Sequence, residues 1–309
     1  SRLQWRLGEA GDNLVLMPRL FHNEGRTDRA FTHAEPRPGP VQPGVPPYDS
    51  GTSDTTSHFT NAGLGLQWRQ RLSPEVRMEL SGSLGQWQSA FDTRRDEFLA
   101  GNPTRGTDDF GRTRERSANL TAKFSGVLVP GAAAPPAEAG PGRPAPPAPP
   151  EHSLVGGLEA ESVKRNEFRS YTDSRTGLPL GGDFGDTFEA STLRLAAYLQ
   201  DEWNLDTHWA FHAGLRWEGI ETQADGNNFD AIRNRSSVAS PIVNLLWKLP
   251  GTQKDQVRMG LARTYKTPGI NDLVPRRFFA PNNTPVTPDF IGNPNLKPEL
   301  AWGLDAAYE

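Results

Sequence analysis

The sequence predicts an all-β fold, an antiparallel transmembrane β-barrel of which this chain forms a part. Two observations predict it: apolar residues recur at every second position in many segments, and the connections between those segments alternate between short and long. The first is the period of a strand with one apolar face. The second is typical of outer-membrane barrels, which have short periplasmic turns and long extracellular loops.

One segment shows the period clearly. Val76, Met78 and Leu80 lie on one face of the predicted strand, whereas Arg77 and Glu79 lie on the other. On a helix these apolar residues would scatter around the axis, so a strand is the better description. Because such a strand is apolar at only half of its positions, a mean hydropathy of −0.63 is compatible with a membrane barrel. No uninterrupted apolar segment is long enough to predict a transmembrane helix.

The same alternation defines every predicted strand in order. The clearest further examples are Ala118, Leu120, Ala122 and Phe124, then Leu193, Leu195, Ala197 and Leu199, then Trp209, Phe211, Ala213, Leu215 and Trp217. We predict eleven strands, at 2–8, 13–22, 59–70, 75–88, 114–129, 151–163, 190–203, 208–220, 237–249, 255–265 and 299–309. Short connections are predicted at 8–12, 71–74, 204–207 and 250–254, and long ones at 23–58, 89–113, 164–189, 221–236 and 266–298.

One connection departs from the alternation. Segment 130–150 should be a short periplasmic turn, but it is long and consists mainly of Pro, Ala and Gly. Such a composition cannot build a core, and its prolines cannot pair in a ladder. We therefore expect a disordered, extended insertion there.

Tryptophan is unevenly distributed along the predicted strands. Trp5, Trp68, Trp203, Trp209 and Trp247 all lie within a few residues of a short connection. Amphipathic rings are favoured at a membrane–water interface, where they form a girdle around a barrel. The alternative is that these residues pack in a soluble core.

The strand count bears on domain organisation. With eleven strands the first and the last run in the same direction, so they cannot pair to close an antiparallel barrel. An open sheet would also leave two edges unpaired in lipid, where no water can satisfy them. Either further strands lie elsewhere in a longer polypeptide or the strand count is off by one. We expect the former, with residues 1–309 as one partial barrel domain.

The composition excludes several other classes of function. A net charge of −4 and a pI of about 5.9 argue against nucleic-acid binding. Without cysteine there is no thiolate metal site and no cysteine nucleophile. The six histidines form no zinc motif, and the chain has neither a nucleophile-elbow motif nor a phosphate-binding glycine loop. We expect no enzyme activity, no bound metal and no cofactor.

Several motifs in the second half of the chain point to a known family. They are YLQDEW at 198–203, GLRWE at 214–218, ARTYKTP at 262–268, NDL at 271–273, GNPNLKPE at 292–299 and LAWGLD at 300–305. In this order and with the alternating connections, they resemble the barrel of TonB-dependent outer-membrane receptors. The close matches cover about 195–309, and the earlier residues match only in general barrel pattern. We interpret 292–299 structurally, because Pro294 and Pro298 cannot donate ladder hydrogen bonds before the last strand begins.

The resemblance implies a barrel of about 22 strands around a globular plug, in the bacterial outer membrane. It implies uptake of a scarce ligand, a ferric siderophore above all, energised through the TonB protein. The plug and the TonB-binding segment would lie outside this sequence. Expected partners are the TonB complex, a siderophore-like small molecule, and outer-membrane lipid and lipopolysaccharide, with no nucleic acid. Two alternatives stay open: a passive outer-membrane porin, and a soluble secreted β binding module.

Strand parity nominates four residues for ligand contact in the upper lumen. Arg194, Arg216 and Glu218 have inward parity near the long-connection end of their strands, and so has Trp87. Cationic and aromatic groups there would suit an anionic, catecholate-like metal chelate through charge and stacking. The alternative is that these side chains pack or pair with the plug or with one another.

Overall fold

The computed structural model describes residues 2–8, 11–33, 46–129, 151–180, 186–251, 255–278 and 288–309. The insertion predicted at 130–150 lies outside the described residues. Thirteen strands and one short helix occur in the described ranges. The strands are β1 Leu3–Arg6, β2 Asn13–Thr32, β3 Ser50–Arg71, β4 Val76–Leu99, β5 Asn102–Leu128, β6 His152–Asp173, β7 Asp186–Asn204, β8 Trp209–Gly226, β9 Phe229–Lys248, β10 Gln256–Lys266, β11 Arg277–Phe278, β12 Phe290–Ile291 and β13 Glu299–Tyr308. The helix is α1, Ile270–Leu273.

Eleven of these strands form one sheet. They pair in chain order from β1 to β10, and β13 then pairs with β10; every pairing is antiparallel. The remaining two, β11 and β12, form a small ribbon of their own. The prediction of an all-β antiparallel sheet of eleven strands is confirmed. Among the described residues, no helix has the length and apolar character needed to cross a membrane.

The strands extend much further than predicted at the long-connection end. β3 begins at Ser50 rather than 59, and β4 continues to Leu99 rather than ending at 88. β5 begins at Asn102, so the predicted long loop at 89–113 is wrong: the two strands meet in a turn of two residues. Those residues, Ala100 and Gly101, have φ values of 49° and 79°, as a tight hairpin turn requires. The loop predicted at 221–236 is likewise a hairpin, since β8 ends at Gly226 and β9 begins three residues later.

The strand portions at the long-connection end were not predicted because neither of their faces is apolar. Both faces there are polar, and the ladder is supported by cross-strand contacts between charged or hydroxyl side chains. Arg26 of β2 contacts Asp54 of β3 at 2.5 Å, and Thr55 of β3 hydrogen-bonds with Thr93 of β4 at 2.9 Å.

Apart from the connection between β5 and β6, the connections at the opposite end are short, as predicted, and side chains stabilise two of them. Asp206 accepts hydrogen bonds from the backbone amides of His208 and Trp209 at 2.7 and 2.9 Å. These two donors hold the pKa of the Asp206 carboxyl below its usual value. At the β3–β4 turn, the Ser73 hydroxyl accepts a hydrogen bond from the amide of Val76 at 3.1 Å.

The sheet has two chemically different faces. Leu84, Leu158 and Leu199 share one face and are 62%, 63% and 61% exposed. The strand register connects them laterally through Leu64, Ala118 and Leu215 and their neighbours into a continuous apolar belt. We call the face that carries this belt the outer face and the opposite one the inner face. A soluble protein rarely exposes an apolar surface of this extent, whereas lipid requires one.

The five tryptophans assigned to a girdle share the outer face at the short-turn end. Trp209 stands directly opposite Trp247, and their rings stack at 5.3 Å and 7°. Trp203 stacks on Phe211 at 5.4 Å and 12°. Trp5 and Trp68 are joined to the same face through their pairing with Leu14. The arrangement is a row of aromatic rings along one rim of the belt.

The predicted long loop at 266–298 is partly folded. Its helix α1 and the following residues pack against the inner face of β7 and β8, where Val274 and Phe188 are 0% and 2% exposed. Arg276 forms ion pairs with Glu167 at 2.7 Å and with Asp186 at 3.5 Å. This segment therefore covers the inner face at the end of the sheet opposite the short turns.

Candidate functional site

The inner face carries the four residues nominated from the sequence. Arg194 and Glu218 come from the paired strands β7 and β8, where Ala196 stands opposite Glu218 and Tyr198 opposite Arg216. Alternation along each strand places the charged members of this set on one face. The structure brings three of them, Arg194, Arg216 and Glu218, into one cluster, and places Trp87 in a second cluster on β4.

Arg216 of the first cluster donates hydrogen bonds to two carboxylates. Its guanidinium donates to both carboxylate oxygens of Glu159 on β6, at 3.1 and 2.6 Å, in a bidentate arrangement. It also donates to Glu218 at 2.9 Å. Charge-assisted bidentate contacts of this kind are strong and geometrically specific. Because Arg216 lies on β8 and Glu159 on β6, the bidentate contact reaches across the intervening strand β7.

Arg194 completes the cluster from the neighbouring strand. Its guanidinium pairs with Glu161 of β6 at 2.6 Å and with Glu218 at 3.4 Å. Two arginines and three glutamates thus leave the cluster with one negative charge in excess.

Exposure separates the roles that these side chains can have. The Glu218 side chain is only 3% exposed, so it can position the two arginines but offers almost no surface to a ligand. The side chains of Arg194 and Arg216 are 39% and 28% exposed. Their free edges are the parts of the cluster that a bound molecule could reach.

Trp87 belongs to a separate cluster on β4, β5 and β6. Its indole N–H donates to Glu115 at 2.9 Å, and Arg165 donates to the same carboxylate at 2.8 and 2.6 Å. The Phe59 ring stacks against the indole at 6.2 Å. The nominated residues thus contact neighbours on the same face, and both contact with a ligand and contact with the plug stay predictions.

Sequence reasoning missed the carboxylates that hold these groups. Glu115, Glu159 and Glu161 have the inward parity that nominated the arginines, but their pairing depends on which residue stands opposite which. Glu161 stands directly opposite Arg194, and Glu115 directly opposite Arg165. That register becomes visible only when the strands are aligned.

The chemistry available on the inner face is that of recognition. In the described part of the chain, no group of three or more His, Asp or Glu side chains is placed to hold a metal ion. The site offers guanidinium and indole N–H donors and aromatic faces, held by ion pairs on a sheet. Such a surface suits a polar molecule passing along it.

Comparison with known proteins gives two results. A sequence profile of the family described as TonB dependent receptor-like, beta-barrel matches residues 9–309. A search of curated proteins finds no match.

Among solved structures, similar chains include BauA, the ferric preacinetobactin receptor from Acinetobacter baumannii. This chain is 12% identical to it, with 99% of this chain and 48% of that one covered and a TM-score of 0.49. For the Serratia marcescens hemophore receptor HasR, solved with its hemophore HasA and heme, identity is 13%, coverage 98% and 47%, and the TM-score 0.43.

For the ferric yersiniabactin uptake receptor FyuA from Yersinia pestis the values are 12%, 100% and 51%, and 0.40. The chain spans about half the length of the solved structures it matches. The profile match extends over nearly the whole chain and agrees with the eleven-stranded antiparallel sheet. The chain therefore belongs to the TonB-dependent receptor family and represents part of its β-barrel.

Proposed function

We propose that this chain forms part of the wall of an outer-membrane receptor that imports a ferric siderophore with energy supplied through TonB. Family membership supports the general class, since its members are outer-membrane transport receptors. The ligand is proposed from the chemistry of the inner face. We propose further that the plug and the TonB-contacting segment are elsewhere on the same polypeptide.

The observation that carries the membrane placement is the contrast between the two faces of the sheet. The outer face exposes leucines across many consecutive strands and has its tryptophans at one rim. The inner face places its charges in ion-pair clusters. Only a surrounding lipid phase on one side and a polar lumen on the other suits both faces.

The proposed ligand contacts are Arg194, Arg216 and Trp87, with Glu218 as a positioning residue. The open edges of the two guanidiniums could donate to the oxygens of an iron chelate, and the indole face could stack on a catecholate-like ring. Glu218 contacts both arginines and so fixes where those edges lie. The cluster carries one negative charge in excess, so an anionic ligand would gain little from the net charge of the site. We therefore expect the ligand to be recognised through hydrogen-bond acceptors that contact the two guanidiniums.

Uptake by the intact protein tests this function. Cells that produce the protein and cells lacking its gene are given radioactive iron as ferric citrate, a ferric trihydroxamate or a ferric tricatecholate, with and without a protonophore. We expect uptake of at least one chelate to require both the gene and the proton gradient. Gene-dependent uptake that persists with the protonophore would support a passive porin and contradict the proposal.

Matched substitutions test the contacts. Trp87→Leu and Arg194→Gln should weaken binding of the transported chelate to the purified protein, each by roughly threefold to thirtyfold for one lost charge-assisted or stacking contact. Trp217→Leu and Arg94→Gln replace the same residue types on the outer face and should leave affinity unchanged. Equal effects of the inner-face and outer-face variants would argue against contact in the lumen.

A further inference from the structure

The outer face has one patch of cations that the ion-pair clusters do not account for. Arg112, Arg114 and Arg116 follow one another at every second position of β5, and Lys164 lies on β6. All four are exposed, and their parity is that of the apolar belt. We call these four residues the cationic patch.

The contacts of the patch differ from those of the inner-face arginines. Arg114 and Arg116 donate only to the amide oxygens of Gln88 and Gln86, each at 3.0 Å. Arg112 lies 5.8 Å from the centre of the Phe110 ring. Within the described ranges, none of the four cations forms an ion pair with a carboxylate. On the same two strands, the inward-facing Arg165 and Arg169 are each held by a carboxylate, at 2.6 and 2.8 Å.

The register makes this arrangement unfavourable unless an anion is present. Arg116 stands directly opposite Lys164 on the same face. Like charges directly opposite each other destabilise a strand pair. Consecutive side chains on one face lie about 7 Å apart along a strand, so the three arginines form a cationic row about 14 Å long. A ligand with more than one anionic group would relieve the repulsion and match the row.

The position of the patch identifies the kind of ligand. One step along the strands below Arg116 and Lys164 lie Ala118 and Ser162, and the apolar belt begins there with Leu84. A shallow groove of about 660 Å³ runs across this boundary, lined by Leu20, Leu64, Leu84, Ala118, Arg116 and Lys164. The groove therefore joins an apolar floor to a cationic rim.

We propose that the cationic patch and this groove form a binding site for a phosphorylated lipid of the outer leaflet. The phosphates would bridge Arg116 and Lys164 and extend along the arginine row, while an acyl chain lies on the leucines beneath. A free phosphate would gain nothing from the apolar floor, and a neutral lipid nothing from the cations. The proposal rests on the membrane placement proposed above, but not on the identity of the transported ligand.

The test uses the intact protein in detergent micelles that contain a diphosphorylated glycolipid, a neutral glycolipid with the same acyl chains, or inorganic phosphate. The midpoint of thermal unfolding is followed as each is titrated. We expect the diphosphorylated lipid alone to raise the midpoint. In the variant Arg114→Gln/Arg116→Gln/Lys164→Gln, its apparent affinity should fall by at least tenfold.

The control variant is Arg233→Gln/Arg235→Gln. These two arginines also face outwards, but both are paired with Glu221 at 2.7 Å. Their removal should leave lipid affinity within twofold of the wild type. An equal loss in both variants, or an equal effect of the neutral lipid or of inorganic phosphate, would overturn the proposal.

A measurement on the unaltered protein covers the case in which the triple variant does not fold. Binding to exposed cations should weaken as salt is raised, because counter-ions screen them. Salt-independent lipid binding would contradict the proposal. Iron uptake by cells that produce the same wild-type protein separates the two hypotheses. A protein that binds the lipid in micelles but imports no chelate into cells would contradict only the transport function. One that imports a chelate but shows no phosphate-specific lipid binding would contradict only the lipid site.

Discussion

The ion pair between Arg216 and Glu218 provides the sharpest test of how the inner face is held together. We expect Glu218→Gln and Arg216→Met to be non-additive in their effect on the free energy of unfolding. The two side chains are in contact at 2.9 Å, and Glu218 is almost completely buried. Mutations of residues in direct contact should couple, whereas independent sites should add.

The magnitude follows from the contacts. Glu218→Gln weakens one close charged hydrogen bond, and such a bond contributes about 2 kcal/mol net. Arg216→Met also removes the bidentate contact with Glu159 and leaves Glu159 without that cation, while Glu218 keeps its contact with Arg194 at 3.4 Å. We expect a cost of about 3 kcal/mol, at the lower end for buried pairs because Arg216 is partly exposed. In the double variant the lost pair is counted once, so the coupling energy should be about 2 kcal/mol.

The assay is urea unfolding of the intact protein in detergent, followed by tryptophan fluorescence, for the wild type, both single variants and the double variant. The slope with urea should stay constant, since the same surface is exposed on unfolding. Arg26→Met removes a pair whose arginine side chain is 65% exposed and should leave the midpoint unchanged. A coupling energy below about 0.5 kcal/mol would refute the reasoning that Arg216 and Glu218 act as one coupled pair on the inner face.

Three further predictions concern the turns and the folded segment of the last long connection. Asp206→Ala should remove a pH-dependent contribution to stability. Because the folded-state pKa of Asp206 is lowered, this carboxylate stabilises the fold above its unfolded pKa of about 4, and the stabilisation is lost as pH falls through the lower folded value. The stabilities of the wild type and the variant should therefore converge in acid. Ala100→Gly should stabilise the β4–β5 hairpin by about 1 kcal/mol, as measured by urea unfolding, because a Cβ is unfavourable at φ 49°, whereas Gly101→Val should destabilise it. Gly292→Ala should increase proteolysis of the segment around α1, because a Cβ there would overlap the carbonyl group of Val274; unchanged proteolysis would count against that close approach.

The extent to which the sequence predicted the fold depends on what surrounds each strand portion. Within the belt, every second residue must be apolar, so Leu193, Leu195 and Leu199 mark β7 unambiguously. Beyond the belt both faces are polar, and the alternation that identifies a strand disappears although the backbone ladder continues. This is why the portions of β4 and β5 beyond Trp87 and Arg114 were predicted as loop.

The candidate site shows a similar division. Parity alone assigned Arg194, Arg216 and Glu218 to one face, because it follows from the period of a single strand. Their partners Glu159 and Glu161 required the register of β6 against β7 and, for Glu159, of β7 against β8, which no single strand contains. The need for glycine at 292 likewise comes from a contact that no single strand contains, the close approach of the Val274 carbonyl group.

The length of the β4–β5 hairpin has a consequence for where the protein first meets its surroundings. With 24 residues in β4 and a rise of about 3.3 Å per residue, the strand measures about 80 Å. At a tilt of roughly 40° it spans about 60 Å along the barrel axis, more than twice the apolar band of about 25 Å. In the proposed placement, a paired wall would therefore stand about 30 Å above the bilayer. Antibodies, bacteriophages and competing cells would contact a rigid, hydrogen-bonded sheet there. Insertions or deletions in these strands that prevent such contacts would have to preserve the hydrogen bonds between the strands.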